Sequence, residues 1–157
     1  MLRIGPWELA AVTDGTFALD GGAVFGQAPR SRWAAALPPD DRHRVRLAAR
    51  CLVARHRGAG RLVLVDAGQG RAFDERRRAA LEPDFSAGDL AGGLARLGIA
   101  AGDVTDVILT HLHADHVGGV VRPGPDGAPA LAFPRATHHV QRQAWHWALA
   151  PSEKDRG

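Results

Sequence analysis

Cysteine and lysine are almost missing from this chain. The single cysteine, Cys51, excludes an internal disulfide framework. It sits in RLAARCLVARH, which reads as a half-buried strand, so Cys51 is expected to be a small packing residue. Lys154 is the only lysine among 20 basic residues, so the high isoelectric point comes from arginine. The net charge is only +3 and the arginines are scattered. Aromatic residues make up 6% of the chain, too few for an obvious base-stacking platform. Together these features give nucleic-acid binding no support. The Arg76-Arg77-Arg78 triplet reads as a solvated helix face. No apolar run reaches the length needed to span a membrane. MLRIGPWELAAV has neither a long apolar core nor a cleavage signal. The expectation is a soluble cytoplasmic protein with no membrane or nucleic-acid partner.

What is present is ordinary for a globular fold: 45% hydrophobic and 24% charged residues. A length of 157 residues suggests one domain, or part of one. No internal repeat or low-complexity linker is visible. WELAAVTDGTFAL, residues 7–19, predicts a strand, a turn at Asp14-Gly15 and a second strand. DGGAVFGQAP, residues 20–29, reads as a Gly-rich loop; with Phe25 it either lines a substrate cleft or is an ordinary surface loop. VRLAARCLVARH and RLVLVD predict two strands joined at Gly58-Ala59-Gly60 as a hairpin. RAFDERRRAAL predicts a helix. DLAGGLARLG, residues 89–98, is a stronger one, with Asp89 as cap, Leu90, Leu94 and Leu97 on one face and Gly98 at its end. VTDVILT, residues 104–110, predicts a buried strand. ATHHVQ predicts a strand, and RQAWHWALA a helix closed by Pro151. The fold class is therefore mixed α and β.

The chemistry concentrates in ILTHLHADHVGG, residues 108–119. His111 and His113 are two apart, so in an extended segment both imidazoles reach one metal ion. Asp115 and His116 follow as the chain turns toward a helix and can face a second ion beside the first. Imidazole and carboxylate suit zinc and similar divalent metals. Gly118 and Gly119 are expected to let the backbone turn tightly behind the site. Packing four polar groups at a strand end without a partner would cost several kcal/mol, on the order expected for unmet desolvation. His43, His56, His138, His139 and His146 fall in no ligand motif and are assigned surface or packing roles.

THLHADHVGG resembles the metal-binding signature of the metallo-β-lactamase superfamily, His-x-His-x-Asp-His. RLVLVDAGQG resembles that superfamily's strand ending in Asp-x-Gly. FALDGGAVFG and the ending HHVQRQAWHWALAPSEKDRG resemble its lactonase-like branch. The resemblance implies an α/β (α+β) fold, the N-terminal half of an αββα sandwich. It implies His111 and His113 on one ion and Asp115 and His116 on a second, usually both zinc, with iron or manganese as the other options. It implies that Asp66 supports the metal loop through hydrogen bonds without ligating. The implied activity on a small molecule is hydrolysis of a lactone, ester or related bond by a metal-activated hydroxide. Asp115 would orient that hydroxide or receive a proton. An iron-dependent oxidoreductase of the same fold is the alternative, and an inactive metal-binding half-domain a further one.

Family members have two such halves. The second supplies another histidine for the first ion, a bridging aspartate and a last histidine, and none has a counterpart before Gly157. The expectation is one domain over residues 1–157, incomplete at its C-terminus. Such a chain should bind metal weakly by itself and expose sheet surface. The substrate and the oligomeric state are not legible.

Overall fold

The computed structural model describes residues 1–153. Residues 154–157, the end of the APSEKDRG segment, lie outside the described residues. The framework is two long strands, β2 (Trp7–Asp20) and β3 (Arg44–His56), paired antiparallel along nearly their whole length. β1 (Leu2–Ile4) adds at the outer edge of β2. β4 (Leu62–Val65) returns from β3 as the expected hairpin, pairing Leu52 with Val65 and Arg55 with Leu62. Two parallel strands complete the sheet, β5 (Asp106–Leu109) and β8 (Thr137–Val140), giving the order β1-β2-β3-β4-β5-β8. VTDVILT and ATHHVQ, both predicted as strands, therefore contain strands, and the sheet is mixed.

Helices α1 (Gly21–Phe25) and α2 (Arg30–Trp33) connect β2 to β3. Helices α3 (Glu75–Leu81) and α4 (Leu90–Arg96) cross from β4 to β5. A short helix α5 (Ala114–Val117) and a ribbon of β6 (Val121–Pro123) with β7 (Pro129–Leu131) lie between β5 and β8. The last helix is α6 (Arg142–Leu149). Among the described residues, no helix is long and apolar enough to cross a membrane.

α4 forms as its sequence predicts. Asp89 accepts the Gly92 N–H as cap, Leu90 and Leu94 are buried, and Gly98 ends the turn at φ +68°. It covers one face of the sheet, where Val12, Cys51, Val53, Leu62, Leu64 and Val107 form the core with Leu90, Leu94 and Phe133. Leu64 and Val107 are almost wholly enclosed. Burying a side chain of this size contributes roughly 1.5–3 kcal/mol relative to exposure.

The opposite face carries Ala11, Leu52, Val65 and Ile108 side by side across four strands. That row is open: Leu52 is 39% and Ile108 41% exposed. β5 is thus buried on one face only, which corrects the expectation of a buried strand. The exposed sheet surface expected from the sequence is this row.

Three further expectations change. Asp14-Gly15 is a β-bulge inside one continuous strand, since Thr13 pairs with Arg50 and Thr16 with Ala48, leaving two residues opposite Ala49. Gly15 takes φ +74°, and Asp14 turns inward to accept the N–H groups of Gly70 and Leu90. The Gly-rich stretch at 20–29 begins as helix α1, because Asp20 caps it through the Ala23 N–H. Phe25 then stacks on the buried Trp33 with ring centroids 4.8 Å apart. The helix predicted over RAFDERRRAAL starts only at Glu75, after an Asp74 cap. The arginine triplet lies on it, exposed as expected.

Cys51 is buried in the core, as expected of a small packing residue on a half-buried strand. Burial, reinforced by the charges of Asp14 and Asp66, pushes its thiol up to about 12. At pH 8 this leaves about a thousandfold less thiolate than an ordinary thiol carries. A disulfide reagent is expected to titrate one thiol in denaturant and none over minutes in the native protein. Immediate reaction of the native protein would contradict this burial.

Candidate functional site

The site begins where the parallel strands β4 and β5 end side by side, the edge at which open α/β sheets gather their functional groups. Directly after β4, Asp66 adopts a left-handed backbone at φ +57°, uncommon for a residue with a Cβ. Its N–H donates to the Ile108 carbonyl, and the next amide, Ala67, donates to the His116 carbonyl. The conformation aims the buried Asp66 carboxylate across at the loop leaving β5. There it accepts the Thr110 N–H (2.9 Å) and the Thr110 hydroxyl (2.8 Å), and it pairs with His116 Nδ1 at 2.7 Å. Asp66 thereby joins the two strand ends through Thr110 and His116.

The loop's donor groups fall into two pairs. His111 Nε2 faces His113 Nδ1 at 3.1 Å, in the extended segment before α5. His116 Nε2 lies 3.2 Å from the Asp115 carboxylate, both on α5. The rings of His111 and His116 are 3.9 Å apart between centroids, so the two pairs are adjacent. Among the described residues, no three His, Cys, Asp or Glu side chains converge as one cation-holding group. The pairs nevertheless fit a divalent ion in donor type and spacing. Two nitrogens of one tetrahedral zinc, each at about 2.0–2.1 Å from it, stand roughly 3.3 Å apart. Desolvation, followed by the neighbouring His116 and His113, lowers the pKa of His111 and so favours its neutral, electron-pair-donating form.

Gly118 and Gly119 lie in a tight 3-10 turn behind the loop, as expected, but the turn is not what requires glycine. Gly118 has an ordinary right-handed backbone, φ −57° and ψ −31°. What these positions require is close approach. A Cβ on Gly118 would collide with the Gln69 carbonyl, and one on Gly119 with the Ala67 carbonyl. The segment behind α5 is pressed against the Asp66 loop backbone, and only glycine leaves that space.

Several contributing residues escaped the sequence reading. Thr110 reads there as the last residue of an apolar strand, although a hydroxyl next to a histidine pair was a visible signal. Asp14 and Gln69 lock the back of the Asp66 loop: Asp14 accepts the Gly70 N–H, and Gln69 donates its side-chain amide to the Asp14 carbonyl at 2.8 Å. Burial raises the pKa of Asp14, against the lowering effect of those amide donors. A cleft of about 480 Å³ opens beside Asp115, walled by Thr16, Phe17, Leu37, Arg46 and Arg50. Phe25 does not line it. A larger apolar cavity of about 680 Å³ lies between α4 and the β6–β7 ribbon, away from the four donor residues. His138 and His139 are on β8, where His139 Nε2 contacts Asp106 at 2.9 Å. His146 is exposed on α6.

This architecture is shared with known proteins. The chain is 42% identical over 55 residues to the N-acyl homoserine lactonase AttM of Azorhizobium caulinodans, a stretch covering 35% of this chain and 17% of that one. The Agrobacterium fabrum lactonase of the same name is 40% identical over a segment of equal length and coverage. A probable metal-dependent hydrolase from Staphylococcus aureus superposes with a TM-score of 0.87 at 24% identity, over 99% of this chain and 54% of that one. AidC, a dizinc quorum-quenching lactonase, superposes with a TM-score of 0.72 at 27% identity, over 98% and 48%. The chain thus spans about half the length of these solved relatives. A family model described as the metallo-beta-lactamase superfamily matches residues 45–122, the stretch that runs from β3 through the Asp66 loop and the histidine loop, and the chain belongs to that superfamily.

Proposed function

We propose that this chain carries one half of the active centre of a metal-dependent hydrolase acting on a lactone, ester or related bond. The observation that carries the reading is the pairing of donors, His111 Nε2 with His113 Nδ1 and Asp115 with His116 Nε2, next to one another at the strand ends. The lactonase relatives, one of them dizinc, support the reaction class and the metal. His111 and His113 would hold one ion, Asp115 and His116 a second, with zinc as the favoured metal. Bound there, such ions would supply Lewis acidity and a water whose pKa falls from about 15.7 toward about 7.

The chain's own groups do the remaining work. Asp66 occupies His116 Nδ1, which fixes the ring and leaves Nε2 as the free donor. Thr110, held by the same carboxylate, contacts His111 Nδ1 at 3.1 Å and leaves His111 Nε2 facing His113. His111 and His116 therefore have defined orientations before any ligand arrives. Asp115 stands at the mouth of the cleft in the first turn of α5. Its carboxylate would orient the attacking water, take up the proton that water loses as the tetrahedral intermediate forms, and return it to the leaving oxygen as the scissile bond breaks.

In the full protein, His113→Ala is expected to remove at least one equivalent of bound metal by elemental analysis. Turnover should fall about a hundredfold or more, with the melting temperature little changed. Unchanged turnover would reject the assignment. Asp66→Ala is expected to weaken metal binding by about 10–100-fold, since the His116 ring loses its anchor. Metal titration measures this, and an unaltered affinity would remove Asp66 from the site.

A further inference from the structure

The wall of the cleft is the first half of β3, and it carries charge the reading above does not use. β3 runs antiparallel to β4, and its pairing with β4 begins only at Leu52. Residues before Leu52 therefore extend past the end of β4, toward the side where Asp66 and the histidine loop lie. Along that regular strand Arg46, Ala48 and Arg50 alternate, so they share one face. It is the face of Leu52, Val65 and Ile108. α5 packs against β3, and Asp115 closes the same cleft as Arg46 and Arg50.

The two arginines differ in how they are held. Arg46 donates to the Glu82 carbonyl at 2.8 Å, and its guanidinium is 3.9 Å from the Glu82 carboxylate. Among the described residues, Arg50 has no ion-pair partner, and Asp115 is the one carboxylate in the cleft wall. A guanidinium standing free over a cleft beside a catalytic centre presents a planar fork of donors. That fork matches the two oxygens of a carboxylate or a phosphoryl group. The small side chain of Ala48 between the arginines leaves room for it, and Leu37 in the cleft wall supplies apolar contact.

We propose that this cleft binds an anionic oxygen group of the substrate, with Arg50 as its principal binding residue and Arg46 flanking it. The proposal rests on the hydrolase reading for the word substrate, and it deepens that reading. The molecule cleaved carries, besides the lactone or ester bond, a carboxylate or phosphoryl group placed against β3.

Two arms of one experiment separate this proposal from the assignment of the metal loop. The first uses the full protein freed of metal by chelation, titrated calorimetrically at low salt with succinate and with inorganic phosphate. Saturable binding of at least one is expected, weakened about 10–100-fold in Arg50→Gln and partly recovered in Arg50→Lys. Tighter succinate binding identifies a carboxylate, and tighter phosphate binding a phosphoryl group. Arg76→Gln, on the exposed face of α3, should match the unsubstituted protein. The second arm uses metal-loaded protein and compares p-nitrophenyl hemisuccinate with p-nitrophenyl acetate. The ratio of their kcat/KM values should fall about tenfold or more in Arg50→Gln. Absence of saturable anion binding, or binding equally strong in Arg50→Gln, overturns the proposal. Arg50-dependent anion binding in a protein that takes up no metal would uphold it and reject the metal-loop reading instead.

Discussion

The Asp66 carboxylate is the interaction on which the arrangement of the site depends. It leaves β4 in a left-handed conformation, takes two hydrogen bonds from Thr110 and holds His116 by Nδ1. Those contacts span the gap between two parallel strands, where the backbone ladder has just ended. A buried carboxylate is costly unless several donors satisfy its oxygens, so the donors and the carboxylate fix one another. Take the carboxylate away and the His116 ring is free to rotate, and the Thr110 hydroxyl no longer orders His111. The donor pairs of the loop are ordered because this one group is ordered.

Behind that carboxylate is a layer with no slack. The Asp66 loop lies between the bulge of β2 and the Gly118-Gly119 segment. On one side Asp14 and Gln69 tie it to the bulge. On the other, backbone meets backbone with no room for a side chain. The bulge thus serves the site as well as the strand, since two residues opposite one turn Asp14 inward. Stiffness at the back of the loop is what lets short polar side chains hold fixed positions at its front.

How much of this was legible in the sequence depended on whether the signal was local. His111, His113, Asp115 and His116 announce themselves by type and spacing, and β5 by its β-branched run. The hairpin at 58–60 and the capped helix α4 were likewise written in short windows. Asp14-Gly15 was not, because Asp-Gly favours a turn and a bulge alike. Pairing with β3 on both sides of the dipeptide decided the matter. Glycines masked α1, whose start depends on the Asp20 cap and whose end is packed by Phe25 against Trp33. The open row at Leu52 and Ile108 follows from layer order, which periodicity in one strand does not reveal. Arg50 acquires its meaning only across strands. Nothing near it in the chain says that it will share a cleft with Asp115.

The central claim is that His111, His113 and His116 present specific ring nitrogens to metal. Long-range nitrogen–proton spectra of the imidazoles, recorded while zinc is added, read those nitrogens one by one. The account predicts that Nε2 of His111, Nδ1 of His113 and Nε2 of His116 move together on zinc addition, while His139 and His146 stay in place. Zinc-dependent shifts at His139 or His146 without change at the three loop histidines would contradict it.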